Sequence, residues 1–155
     1  MNTPVDDLDR IMAVMQAAFD PAYGEAWNRR QVEDALLIGN CHYGLVSVQG
    51  TAPRIAEPAA GFFLSRHGFE EEELLLLAVT PQHRRGGLAS LLIERLKTEA
   101  RARGARRILL EMRRGNPAEA LYRRYGFLNI GERRDYYRQA DGSRLDALTF
   151  ALEMN

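Results

Sequence analysis

The chain has 155 residues, the size of one ordinary domain able to bury a single core. Lys plus Arg and Asp plus Glu each number 21, and this zero net charge gives no footing for sequence-blind binding of nucleic acid. One cysteine, Cys41, and three histidines exclude an internal disulfide and supply no metal cluster.

Taken in chain order, the first twenty residues carry Asp6, Asp7, Asp9 and Arg10 where a signal peptide needs an apolar run. No stretch is long and apolar enough for a membrane span, so a soluble, cytoplasmic protein is expected. Val5, Leu8, Ile11, Met12, Met15 and Phe19 recur at helical spacing and predict an amphipathic helix from the Asp6–Asp7 start signals to about Phe19. Pro21 ends it, Trp27 sits in the following turn, and Asn28 is placed to cap a second short helix carrying Val32, Ala35 and Leu36. Residues 41–48 and 59–64, with Gly50 and Pro53 between them, predict an antiparallel strand pair. The apolar run Leu74 to Val79, bounded by charge and by Pro81, predicts a central strand buried on both faces.

Leu88, Leu91, Leu92, Leu96 and Ala100 share one helical face, with Gly104 as the C-terminal cap. A strand over Ile108 to Met112, a short helix from Pro117 to Tyr125, and a strand from Phe127 to about Arg133 follow. Asp141 and Gly142 mark a turn before a last strand over Leu145 to Glu153. The whole of 1–155 therefore reads as one α/β domain with a mixed central sheet flanked by helices. Charge is unevenly spread: residues 82–138 hold 15 basic and 6 acidic side chains, the reverse of the remainder. Such a segment is either a solvated helix surface or a seat for a polyanion. Glu70 to Glu73 read as a solvated acidic turn or as an attractor for a basic peptide.

The most specific local signal is Arg84-Arg85-Gly86-Gly87-Leu88-Ala89, which fits R-x-x-G-x-A between a buried strand and an amphipathic helix. A turn there leaves backbone N–H groups unpartnered at a helix N-terminus, where their dipoles favour a pyrophosphate. Gly86 and Gly87 would let the backbone adopt conformations closed to other residues, and Ala89 keeps the first turn small. A plain Gly-rich connection is the competing reading. The pattern is not a P-loop, since no Lys-Ser or Lys-Thr follows, and it is not a dinucleotide G-x-G-x-x-G.

With these residues in view, the chain resembles the GNAT superfamily of acyl-coenzyme A-dependent N-acetyltransferases, whose pyrophosphate motif Q/R-x-x-G-x-G/A follows the fourth strand. A second constellation extends the likeness: Leu110-Glu111-Met112-Arg113, Asn116, Leu121-Tyr122, Gly126-Phe127, and then Arg134-Asp135-Tyr136-Tyr137. It is most similar to the RimI-type enzymes, which acetylate the N-terminal alanine of a ribosomal protein. Asn116 and Leu121 stand one residue closer together than in that pattern.

The resemblance implies acetyl-CoA as co-substrate, with Arg84, Arg85, Gly86, Gly87, Leu88, Ala89 and Ser90 around its pyrophosphate and Asn116 further along. It further implies that the backbone of Leu77, Ala78 and Val79 pairs with the pantetheine arm, that Glu111 accepts the proton and that Tyr122 donates one. Trp27, Tyr136 and Tyr137 match positions near the acceptor groove. Acetyl transfer needs such an acid–base pair, because the amine must lose a proton and the departing thiolate must gain one.

A weak carboxylate base favours an α-amine, of pKa near ~8, over a lysine near ~10.4. The expected acceptor is therefore a protein N-terminus. A small-molecule amine or lysine acceptor, and a non-catalytic acyl-CoA sensor, are the alternatives. His42 follows Cys41 on a strand, where neighbouring side chains point to opposite faces, so a Cys-His nucleophile is not expected. His67 and His83 fall in turns where exposure is the default.

Overall fold

A computed structural model describes residues 6–154, and Val5 lies outside them. Helix α1 spans Asp7–Ala18 and opens as its sequence dictates, the Asp6 carboxylate accepting from the Asp9 N–H at 2.8 Å. Ile11, Met12, Val14 and Met15 form its buried stripe. Arg10 is buried beside them, with four of its five N–H donors partnered. Its guanidinium donates to the Arg54, Ile55 and Glu57 carbonyls at 2.7, 3.0 and 2.9 Å and pairs with Asp7 at 2.8 Å. One side chain thus ties the long connection between the first two strands to the helix. A 3-10 turn, Pro21–Tyr23, precedes α2 (Arg29–Leu37), which starts in a reciprocal capping box between Asn28 and Gln31.

Three antiparallel strands follow: β1 (Cys41–Val46), β2 (Gly61–His67) and β3 (Glu71–Val79). Helix α3 (Leu88–Ala102) crosses over to β4 (Arg107–Arg113), which lies parallel to β3. The short α4 (Glu119–Arg124) leads to β5 (Leu128–Arg138) and β6 (Arg144–Glu153). The six strands run in the order β1-β2-β3-β4-β6-β5. The last strand therefore inserts between β4 and β5, which are not neighbours although they follow one another in sequence. Phe62 and Phe63 show how the sheet serves two cores, the first facing α1 and α2 and the second facing α3.

The acidic run differs from both sequence expectations. Glu71 to Glu73 belong to β3, and the fully buried Glu72 carboxylate receives Arg103 Nη2 at 2.6 Å and Ser65 Oγ at 2.6 Å. His67 is half-buried against the same carboxylate, its Nδ1 3.3 Å away, rather than exposed in a turn. Alternation along β3 turned the middle Glu inward, and an arginine at the end of α3 made that burial tolerable.

One irregularity shapes the functional end. Ser65 pairs with Leu74 but Leu64 pairs with Leu76, so Leu75 bulges out of β3. The parallel pairing of β3 with β4 ends at that point, its last partners being Leu74 and Leu110. Beyond the bulge the two strands diverge and open a cleft between Leu75–Val79 and Glu111–Arg113.

Candidate active site

The cleft is a cavity of about 860 Å³. Leu77, Ala78 and Val79 form one wall. Their other edge pairs with β2, so alternate backbone groups of this segment face the cleft without a strand partner. Past Val79 the chain makes a 3-10 turn, Pro81–His83, in which the Thr80 hydroxyl and His83 Nδ1 lie 2.8 Å apart.

The motif follows. Arg85 and Gly87 both take the left-handed conformation, with φ of 68° and 84°, and Gly87 serves as the N-cap of α3 with no side-chain cap. Among the described residues, none of the backbone N–H groups from Arg85 to Ser90 has a hydrogen-bond partner. Arg85, Gly87, Leu88, Ala89 and Ser90 line the cavity, so these donors surround one end of it. This is a nest of dipoles at a helix N-terminus, suited to a diphosphate.

Two expectations change in detail. Gly86 is not left-handed and does not line the cavity; the strained turn is made by Arg85 and Gly87 instead. Arg84 reaches the cavity wall but spends its guanidinium on structure, Nε donating to the Val79 carbonyl at 3.2 Å and Nη2 to the Ala18 carbonyl at 2.9 Å. It ties the loop to the end of α1.

A Cβ at Gly87 would meet nothing within 4 Å, whereas one at Gly86 would lie 3.6 Å from the His83 carbonyl, an ordinary contact. Conformation and not space therefore separates the two glycines. Gly87→Val is expected to cost about 1–3 kcal/mol and to lower Tm by several degrees. Gly86→Ala should hold Tm at the wild-type value. Thermal denaturation of the two variants checks this, and equal losses would refute it.

The opposite wall comes from β4 and α4. Asn116 lines the cavity, and its Oδ1 accepts from the Ala118 N–H at 2.9 Å, shaping the turn into a helix that begins at Glu119 and not at Pro117. The Tyr122 ring reaches the cavity from α4, buried and edge-on to Phe127 at a centroid distance of 5.5 Å. Its hydroxyl has no hydrogen-bond partner among the described residues. Burial, and secondarily the Glu25 carboxylate, push the phenol above its ordinary value near 10, so it holds its proton at neutral pH.

Glu111 is the first β4 residue past the last β3 partner, placed where the two strands part but not among the residues that line the cavity. Its Oε1 is buried and lies 3.1 Å from Arg133 Nε of β5, but no N–H is directed at it, so the contact is one of charge and not a hydrogen bond. Tyr136 and Tyr137 adjoin this pair where β5 leaves register with β6, their rings 5.2 Å apart and edge-on. Tyr137 is pushed up to about 12 by burial first, and then by the Glu111 and Glu25 carboxylates.

The structure thus brings Glu111, Tyr137 and Tyr136 together beside the cleft. Trp27 is held elsewhere. It packs against the α1–α2 core and lines a separate cavity of about 410 Å³ with Met12, Met15 and Phe19.

Glu25, Arg113 and Tyr23 also line the main cavity, and the sequence reading assigned them no role. Arg113 Nε donates to Glu25 Oε1 at 3.1 Å, and the guanidinium lies 3.6 Å from the Tyr23 ring centroid. Arg113 was legible as the end of a motif, whereas nothing local to Glu25 marks it. Among the described residues no cluster of His, Cys, Asp and Glu is arranged to hold a metal ion, and no helix is long and apolar enough to cross a membrane.

A nest of free N–H groups opening α3, set against the diverging strands β3 and β4, defines the acyltransferase cleft of the GNAT fold. The chain belongs to the acetyltransferase (GNAT) family, whose profile matches residues 9–127. Among its relatives, the [ribosomal protein bS18]-alanine N-acetyltransferase of Escherichia coli K12 is 38% identical over 97 residues, 62% of this chain and 65% of that protein. The Haemophilus influenzae protein of the same name is 30% identical over 91 residues, 59% of this chain and 62% of its own length. The matched region thus spans a little under two thirds of these relatives.

The crystal structure of the E. coli ribosomal-protein-S18-alanine N-acetyltransferase superposes with a TM-score of 0.78 at 28% identity, covering 98% of this chain and 92% of that one. Arabidopsis thaliana NAA60 in complex with a bisubstrate analogue gives a TM-score of 0.79 at 18% identity, covering 100% and 97%, a likeness of fold alone. The chain is therefore a member of the GNAT family, whose acetyltransferases use acetyl-CoA.

Proposed function

We propose that the chain moves an acetyl group from acetyl-CoA to a protein N-terminal α-amine, the N-terminal alanine of a ribosomal protein being the favoured acceptor, in the cytoplasm. One observation carries this reading: the cavity that ends in unpartnered N–H groups is lined by a protonated phenol, Tyr122, and opens where β3 and β4 part, at the strand position of a carboxylate, Glu111. The activity of the E. coli and H. influenzae relatives supports the choice of acceptor.

Acetyl-CoA supplies the activated acyl group. The N–H groups from Arg85 to Ser90 fit its diphosphate, the free backbone edge of Leu77 to Val79 fits an amide-bearing arm, and Asn116 stands on the opposite wall. Glu111 takes a proton from the acceptor ammonium, directly or through water, leaving a lone pair for the acyl carbon. Tyr122 gives its proton to the sulfur as the C–S bond breaks, and the new C–N bond completes the transfer. Tyr136 and Tyr137 wall the acceptor side, while Trp27 supports the loop that carries Glu25.

A short peptide with a free N-terminal alanine is expected to be acetylated, and its Nα-blocked counterpart carrying an internal lysine is not. Mass spectrometry of both products tests this. Equal modification of the blocked peptide would replace the α-amine reading with a lysine one.

A further inference from the structure

Two carboxylates, Glu25 lining the cavity and Glu111 at the fork of β3 and β4, are each met by an arginine. The Glu25–Arg113 pair is fixed. Its side chains are only 15% and 11% exposed, the 3.1 Å hydrogen bond is directed, and the guanidinium is stacked on Tyr23. The Glu111–Arg133 pair is loose. Glu111 Oε1 is buried without a directed hydrogen bond, and Arg133 reaches it at 3.1 Å from an edge strand with its own side chain 61% exposed. Arg133 also sits immediately before the register break of β5, its guanidinium 5.0 Å from the Tyr136 ring. Nearby arginines are engaged away from the cleft: Arg114 by Glu132 at 2.6 Å and Asp146 at 3.2 Å, Arg134 by Glu132 at 3.9 Å.

We propose that Arg133 is a stand-in cation, holding at Glu111 the place of the acceptor's α-ammonium until that ammonium displaces it. The inference rests on the reading of Glu111 as the proton acceptor. A buried carboxylate oxygen demands a countercharge, and a largely solvated guanidinium on a long stem supplies one and withdraws it at little desolvation cost. The incoming ammonium brings the same charge and better-directed donors, and the contact it makes is the one through which it then loses its proton. An acceptor whose nitrogen carries no charge cannot make the exchange. Arg133 therefore selects for amines that arrive protonated, and Glu25 cannot take this part because its own arginine is locked in place.

The test is steady-state kinetics of Arg133→Met and Arg133→Lys with the free N-terminal-alanine peptide. The Met variant is expected to lower the acceptor KM by about 3- to 10-fold, because the competing cation is gone. The Lys variant should keep a KM near that of wild type. Tetramethylammonium should inhibit the Met variant at lower concentration than it inhibits wild type. An unchanged KM in the Met variant overturns the proposal, and so does a raised one, which would mean that Arg133 grips the acceptor. Should Glu111→Gln abolish turnover while Arg133→Met leaves KM in place, only the exchange falls. Should Glu111→Gln turn over like wild type, the assignment of the proton acceptor falls instead.

Discussion

Glu111→Gln is expected to lower kcat on an N-terminal-alanine peptide by about 10²- to 10⁴-fold, with CoA affinity left at the wild-type value. The substitution keeps the size and planarity of the side chain, so the fork of β3 and β4 keeps its shape. It removes the only property the mechanism uses, the capacity to accept a proton. The diphosphate nest opens α3 and does not involve β4, so calorimetric titration with CoA should read the same heat and the same Kd. Tyr122→Phe should behave similarly but with a smaller loss, since water that enters the cleft can protonate the thiolate in its place. Its ring packing on Phe127 is retained in the variant, so a fall in Tm would not be its cause. Wild-type turnover in both variants would strip Glu111 and Tyr122 of their roles and leave the cleft as a CoA-binding surface.

Much of this site was legible because its parts are local. A strand, a glycine-containing turn and an amphipathic helix in immediate succession dictate free N–H groups at one point, and the residues from Arg85 to Ser90 deliver them. The helix starts at Asp6 and Asn28 were equally legible, since capping depends on residues three apart. What escaped were features set by pairing across the sheet. The bulge at Leu75 exists only relative to β2, and without it nothing says where β3 and β4 part or that Glu111 stands at their fork. The insertion of β6 between β4 and β5 likewise has no signature in either strand. Arg133 meets Glu111 only because β6, paired with both strands, carries β5 to the same side of the cleft. The choice of Arg85 over Gly86 for the left-handed turn shows the limit of composition, for a glycine permits a conformation without compelling it.

Glu72 provides the last and largest test of the fold. Its carboxylate is fully buried at the end of β3 away from the cleft and is held by Arg103 through Nη2 at 2.6 Å and Nε at 3.2 Å, by Ser65 at 2.6 Å and by His67 at 3.3 Å. Burial alone would raise its pKa. The hydrogen bonds from Arg103 and Ser65, the Arg103 charge and the His67 contact outweigh burial and hold the carboxyl below its ordinary value near 4.5. Removing it leaves Arg103 and Ser65 without their partner, so Glu72→Leu should cost about 3 kcal/mol at neutral pH, or roughly 6–12 °C in Tm. The sign of the pH dependence follows from the depressed pKa. Stability from the ionised carboxylate is fully present above the unfolded value near 4.5 and is lost as pH falls through the lower folded value. The gap in Tm between wild type and Glu72→Leu should therefore be flat from about pH 5 to pH 8 and narrow below pH 4.5. A gap that widens on acidification, or that is absent at neutral pH, would show that the buried pair contributes nothing. Below its own melting point the variant should still acetylate its peptide, because nothing in this network touches the cleft between β3 and β4.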